Sequence, residues 1–323
     1  MMKKQYSHLV LFLSLCTLTA CNDSKNEDSI DPDPLPPSIT YHVEGYAELG
    51  AFDHNSTLTV FPLDKSLAHI EEQAYGGKVE TDYGLFSASG NMKFQESLYF
   101  EVQVTGNFFN GTKGRRSEHK TTLRAINHVI NHADEERSIN RYIKLPATNV
   151  NIFTQLTAAR ICTLLKKAAG YNEMSHTITD IYRNASEQAL KEVLTAFSIS
   201  DIYVSMLSID PTRASFSQYN APASMMAAVS NILLTSVDEE LLDTFFTEWD
   251  KDFAPDGRID NEDIKESIRD GQQSLKYTNV YKQLDSFYKA YDFKSDFPEF
   301  WKFVDRNGDG ILDKQDKPDD FEI

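Results

Sequence analysis

Asn149-Val150-Asn151-Ile152-Phe153-Thr154-Gln155-Leu156 is the stretch at which the hydrophobic period of this chain changes. Before it, Ser56-Thr57-Leu58-Thr59-Val60-Phe61-Pro62-Leu63 alternates, and Leu98-Tyr99-Phe100-Glu101-Val102-Gln103-Val104 alternates more clearly. A period of two belongs to strands, whose successive side chains face opposite ways. Gly76-Gly77, Asp82-Tyr83-Gly84 and Asn110-Gly111 punctuate the runs. Short strands at this spacing predict an antiparallel β-sandwich over 41–148. After the stretch, apolar residues recur at three and four. Phe153, Leu156, Ile161, Leu164, Leu165 and Ala168 form one stripe, closed by Gly170. Ile178, Ile181, Tyr182, Ala185, Ala189, Val193 and Phe197 form a second. Met225, Met226, Val229, Ile232 and Leu233 suggest a third helix after Pro222, and Leu241, Leu242, Phe245, Phe246 and Trp249 a fourth. The predicted fold is therefore α+β and multidomain, with a helical domain over 149–236.

Working outward to the N-terminus, Lys3 and Lys4 precede a short apolar run, Leu9 to Leu18, below the ~20 residues a spanning helix needs. The run ends in Leu18-Thr19-Ala20-Cys21. This resembles the lipobox of bacterial lipoproteins, which implies a signal peptide over 1–20 and acylation of Cys21. The resemblance places the chain in the cell envelope, and Asn22 in place of Asp leans towards the outer membrane of a Gram-negative bacterium. Residues 21–40 are rich in Pro, Asp and Ser and read as a disordered tether. With Cys16 removed and Cys21 lipidated, Cys162 has no intrachain partner, and its apolar neighbours predict a small buried side chain.

Working outward to the C-terminus, the chain turns acidic. It has 323 residues, 49 Asp+Glu against 32 Lys+Arg and a formal net charge of −17. That balance argues against nucleic acid, which needs clustered basic residues. From Asp238 onward there are 24 acids and 12 bases, so the excess is concentrated in 237–323. Asp305-Arg306-Asn307-Gly308-Asp309-Gly310-Ile311-Leu312-Asp313-Lys314-Gln315-Asp316 lies there. Its oxygen-bearing residues are spaced as in a calcium loop, and it resembles those of EF-hands and dockerins. Ca²⁺ takes six to eight oxygens at roughly 2.3–2.6 Å. The expected ligands are Asp305, Asn307 and Asp309, the Ile311 carbonyl, Asp313 and Asp316, with Gly310 at the sharp reversal. Asp316 stands where the motif usually has Glu, which implies weak, extracellular-type affinity. A second acidic loop precedes it in the chain. Asp256, Asp260 and Asp263 fit the back half, with Asp252 as first position or, allowing an insertion, Asp250 and Asp252 as the first two ligands. The helix over 238–249 leads into it. Paired loops join through their position-eight residues, here Ile259 and Leu312, although helix-forming sequence separates the two.

Further resemblances set the functional expectation. Val43-Glu44-Gly45, Thr57-Leu58-Thr59-Val60 and Thr81-Asp82-Tyr83-Gly84-Leu85-Phe86 are similar to carboxypeptidase-regulatory, or transthyretin-like, β-sandwich modules, which implies a binding or spacer role without an active site. The Asn-x-Asn-x-x-Thr-x-Leu stretch at 149–156 looks like the junction of a loose group of bacterial surface lipoproteins that carries no known activity to transfer. His128 and His132 stand four apart without the Glu of a zinc-protease motif and read as a surface pair. Gly106 to Lys113 misses the P-loop order, and no Gly-x-Ser-x-Gly elbow occurs. The expectation is a calcium-binding, lipid-anchored envelope protein that binds a protein or glycan, adheres or scaffolds. A secreted hydrolase with structural calcium is the rival, and an envelope assembly factor a third possibility.

Overall fold

The computed structural model describes residues 39–92, 98–129, 142–173, 177–292 and 299–318. Cys21, the signal segment, nearly all of the tether and His132 lie outside them. Residues Ser38–Ile323 form one compact unit, to which the segments 41–148, 149–236 and 237–323 all contribute. Among the described residues no helix is long and apolar enough to cross a membrane.

The chain is a mixed α+β protein. Its strands are β1 (Ile39–Glu48), β2 (Thr57–Leu63), β3 (Tyr75–Val79), β4 (Leu85–Met92), β5 (Tyr99–Gly106), β6 (Phe109–Asn110), β7 (Arg115–Arg116), β8 (Thr121–His128), β9 (Tyr142–Lys144) and β10 (Val150–Asn151). Eight of them share one sheet in the order β10-β1-β4-β3-β2-β5-β8, with β9 also on β1; β6 and β7 form a small ribbon. Most pairings are antiparallel, but β9 and β10 join β1 in parallel. Where two facing sheets were expected, the second layer is helical. The helices are α1 (Ile152–Lys167), α2 (Ile178–Ala196), α3 (Ile202–Leu207), α4 (Ala221–Ser236), α5 (Leu242–Phe253), α6 (Glu262–Ser274) and α7 (Tyr277–Lys289).

The reason is visible on β5. Phe100, Val102 and Val104 enter a core shared with Val43, Phe86, Phe153, Met226, Trp249 and Leu284. The other face of the same strand is also covered. Tyr99 and Ile126 meet Ala158, Ile161, Tyr182 and Ala185 of α1 and α2 in a second cluster. Alternation therefore separates two buried faces here, with helices over the one that a sandwich would leave wet.

The junction sequence carries out the change of period with its polar side chains. Asn151 caps α1 by accepting the Thr154 N–H at 3.0 Å, while Thr154 Oγ1 accepts the Asn151 N–H at 2.8 Å. Such a cap contributes about 1 kcal/mol. The Asn151 amide also donates to the Pro211 and Ala214 carbonyls, both at 2.9 Å. Asn149 accepts the Tyr46 N–H at 2.9 Å and donates to Ala214 at 3.0 Å. Gln155 accepts the Arg124 N–H of β8 at 2.9 Å. One short segment thus ties the sheet edge, the first helix and the turn at 211–214 together.

The surface reading of His128 is overturned. His128 ends β8, is 8% exposed, stacks on Tyr182 at 4.7 Å and shares a hydrogen bond with Thr179 Oγ1 at 3.0 Å. Burial pushes its imidazole down to about 4. The covering helix α2, which the local sequence of β8 does not announce, is what buries it.

Candidate metal centre

The segment from 305 to 316 follows a 3-10 turn, Trp301–Phe303, that seats Phe300, Phe303 and Val304 in the main core. The chain reverses at Gly308 and Gly310, with φ of +74° and +78°, a conformation that costs glycine little. Asp305 accepts the N–H groups of Gly308 at 2.8 Å and Gly310 at 3.0 Å. Asp316 accepts from Arg306 at 2.8 Å and Asp313 at 2.9 Å, so the last acid of the loop closes back on its beginning. Asp309 accepts the Ile311 N–H at 2.8 Å, and Asn307 accepts the Asp309 N–H at 2.9 Å. Asp313 caps a single 3-10 turn, Lys314–Asp316, at the place where an EF-hand would start its exiting helix.

Burial is uneven around this ring. Asp305 is 2% and Asp316 1% exposed, whereas Asn307, Asp309 and Asp313 face solvent. The two buried carboxylates accept only backbone N–H groups, and no Lys, Arg or His pairs with either among the described residues. Those backbone bonds hold the acids spread along the loop: among the described residues no three His, Cys, Asp or Glu side chains converge as a metal-holding group. The donor set is all oxygen, which suits a hard cation and not a soft one.

The first acidic loop is a helix–loop–helix between α5 and α6. Gly257 adopts φ of +80°, at the same relative place as Gly310. Asp256 accepts the Arg258 N–H at 3.0 Å, as Asp309 does from Ile311. Asp252 accepts the N–H groups of Asp260 at 2.8 Å and Asn261 at 3.1 Å, and Asn261 caps α6. Asp260 and Asp263 contribute backbone N–H groups to these turns. Asp250 is placed apart from them. It lies in the last turn of α5, two residues before Asp252, and pairs with Arg124 of β8 at 2.5 Å.

The expected bridge between Ile259 and Leu312 is not formed; neither residue lies in a strand or β-bridge, and both pack against the main core instead. The first loop leads into the N-terminus of α6. The second approaches its other end, where a Cβ at Gly308 would lie 3.3 Å from the Gln273 amide. Thirteen helical residues set the loops roughly 20 Å apart, too far for position-eight pairing.

Two buried charge systems were not legible in the sequence. Glu101, 3% exposed, meets His69 Nε2 at 3.1 Å and Arg124 at 3.6 Å, and Arg124 continues to Asp250. Burial pushes Glu101 up, but His69, Arg124 and Gln103 outweigh it and hold its carboxyl below the ordinary value. Burial pushes Asp250 up to about 6 against the pull of Arg124. The second system is Glu48 at the end of β1. It is fully buried, and among the described residues its carboxylate accepts from the Ser215 hydroxyl at 3.2 Å and the Phe216 N–H at 3.1 Å. Burial pushes its carboxyl up to about 8. Cys162 borders the second cluster half-buried, with its thiol pushed up to about 11 by burial, which keeps it protonated and unreactive.

The chain matches no family model, no curated protein and no solved structure.

Proposed function

We propose that this chain is a calcium-binding, lipid-anchored protein of the bacterial cell envelope, with a binding or scaffolding role towards a protein or glycan. The observation that carries the calcium reading is the burial of both Asp305 and Asp316, first and last acids of the EF-hand-like loop, without a cationic partner among the described residues. Buried carboxylates are costly unless a counter-charge is present. A divalent cation supplies that charge, and Asp305, Asn307, Asp309, the Ile311 carbonyl, Asp313 and Asp316 are the oxygens that would hold it. Bound there, calcium neutralises the loop and fixes the last segment of the core through Phe300, Phe303 and Val304. Cys21, at the end of Leu18-Thr19-Ala20-Cys21, supports the anchor. The transthyretin-like stretches of 41–126 support a binding or spacer body at the level of a strand-rich N-terminal half.

The test compares thermal unfolding and C-terminal proteolysis in calcium and in chelator. With an affinity of roughly 10⁻⁴–10⁻³ M, about 10 mM calcium stabilises the fold by about 1.4–2.7 kcal/mol. Asp305→Asn is expected to abolish that increment. An unchanged midpoint and unchanged cleavage after chelation overturn the reading.

A further inference from the structure

The first acidic loop already contains a cation, the guanidinium of Arg160. Arg160 belongs to α1, and its side chain is 5% exposed. Its Nε donates to Glu192 Oε2 at 2.7 Å and its Nη2 to Glu192 Oε1 at 2.9 Å, a bidentate pair with α2. The remaining donors point into the loop. Nη1 reaches the carbonyls of Ala254 at 3.1 Å and Pro255 at 2.9 Å, and Nη2 that of Asp256 at 3.0 Å. All three nitrogens of the group are engaged, by five oxygens. Three consecutive backbone carbonyls therefore converge on one positive charge, an arrangement that the planar, five-donor fork of arginine suits and the point charge of lysine does not.

The rest of the loop is shaped around this group. A Cβ on Gly257 would lie 2.1 Å from Glu192 Oε2, so the glycine admits the carboxylate as well as the positive φ. Asp250, just ahead of the loop, is held by Arg124 of β8. We infer that Arg160 is the resident cation of the first acidic loop, ordering it in place of calcium, and that residues 252–263 form no second calcium site. The proposed calcium reading enters only in the count of one ion per chain; the statement about 252–263 stands independently of it.

Calcium itself is the probe. The full chain and an Asp252→Asn/Asp256→Asn variant are titrated by calorimetry, and hydrogen exchange is followed in peptides covering 254–261 and 305–316, with calcium and with chelator. The expected result is the same number of sites in both proteins and protection of 254–261 that chelation does not change. Arg160→Gln, and the milder Glu192→Gln, are expected to raise exchange of 254–261 by about tenfold or more in both buffers. The inference is overturned if the double variant loses a calcium site, if chelation unprotects 254–261 in the native chain, or if both Arg160→Gln and Glu192→Gln leave that peptide unchanged. Chelation without effect on 305–316 would sink the calcium reading of that loop, and the Arg160 and Glu192 variants would still decide this one.

Discussion

Glu48 makes the stability of this fold depend on pH in a direction opposite to that of a paired carboxylate. In the unfolded chain it ionises near 4.5, and in the folded chain burial holds it protonated up to about 8. Between those values the folded state carries a proton that the unfolded state has lost, so stability falls as pH rises. The full effect is present below 4.5 and lost above 8. Its slope is about 1.4 kcal/mol per pH unit, so raising pH from about 5.5 to 7.5 removes about 2.7 kcal/mol, an upper value because the ionised group recruits some relaxation. The control is Glu48→Gln, which cannot ionise and keeps one oxygen to accept the Phe216 N–H, with its amide NH2 donating to the Ser215 hydroxyl in place of the acid's own proton. Urea unfolding of both proteins at several pH values, read by fluorescence of the buried Trp249, isolates the contribution as the difference between two curves. The native chain is expected to lose stability relative to the variant with rising pH. Curves that run parallel within about 0.5 kcal/mol would refute the assignment of Glu48 as a neutral buried acid.

Two further changes test the seams of the fold. Arg124→Met leaves Asp250 without its cation and Glu101 with His69 alone; a loss of about 3 kcal/mol is expected in urea titrations, shrinking as pH falls and Asp250, already raised by burial, takes up a proton. Gly271→Ala improves helix propensity by about 1 kcal/mol, yet its Cβ would meet the Ile232 carbonyl of α4 at 2.3 Å, so a net loss of about 2 kcal/mol is expected, and an unchanged or higher melting point would contradict the close packing of α4 on α6.

The sequence was most informative where one physical pattern governs a segment. The stripe of α2 and the alternation of β5 mark their elements because each must bury one set of positions. The helix expected after Pro222 begins at Ala221, with proline in its first turn, where its missing N–H does no harm. Burial of the second face was not legible. Glu101 and Arg124 occupy positions that alternation assigns to solvent, and only the placement of α1, α2 and α5 over them turns these into a buried pair. Arg160 did leave a signal, since it falls four residues after Leu156 and seven after Phe153 on the apolar side of α1. A charge at such a position needs partners from elsewhere in the chain, and local sequence cannot say which. The acids at 305–316 announced a loop by their spacing, whereas those at 250–263 divide between a loop, the first turn of α6 and an ion pair with the sheet.

The place of β1 in the sheet has a mechanical consequence. A pull on the chain upstream of Ile39 arrives at a strand hydrogen-bonded along both edges, to β4 from Ile39 to Tyr46 and to β9 and β10 on the other side. Tension along the strand must shear these rows together, whereas a strand at the rim would unzip one pair at a time. Extraction of β1 would also expose the Val43 and Ala47 side of the core. Force applied at Ile39 would therefore be resisted by both neighbours at once, and the sheet would be loaded as a whole before β1 separates from it.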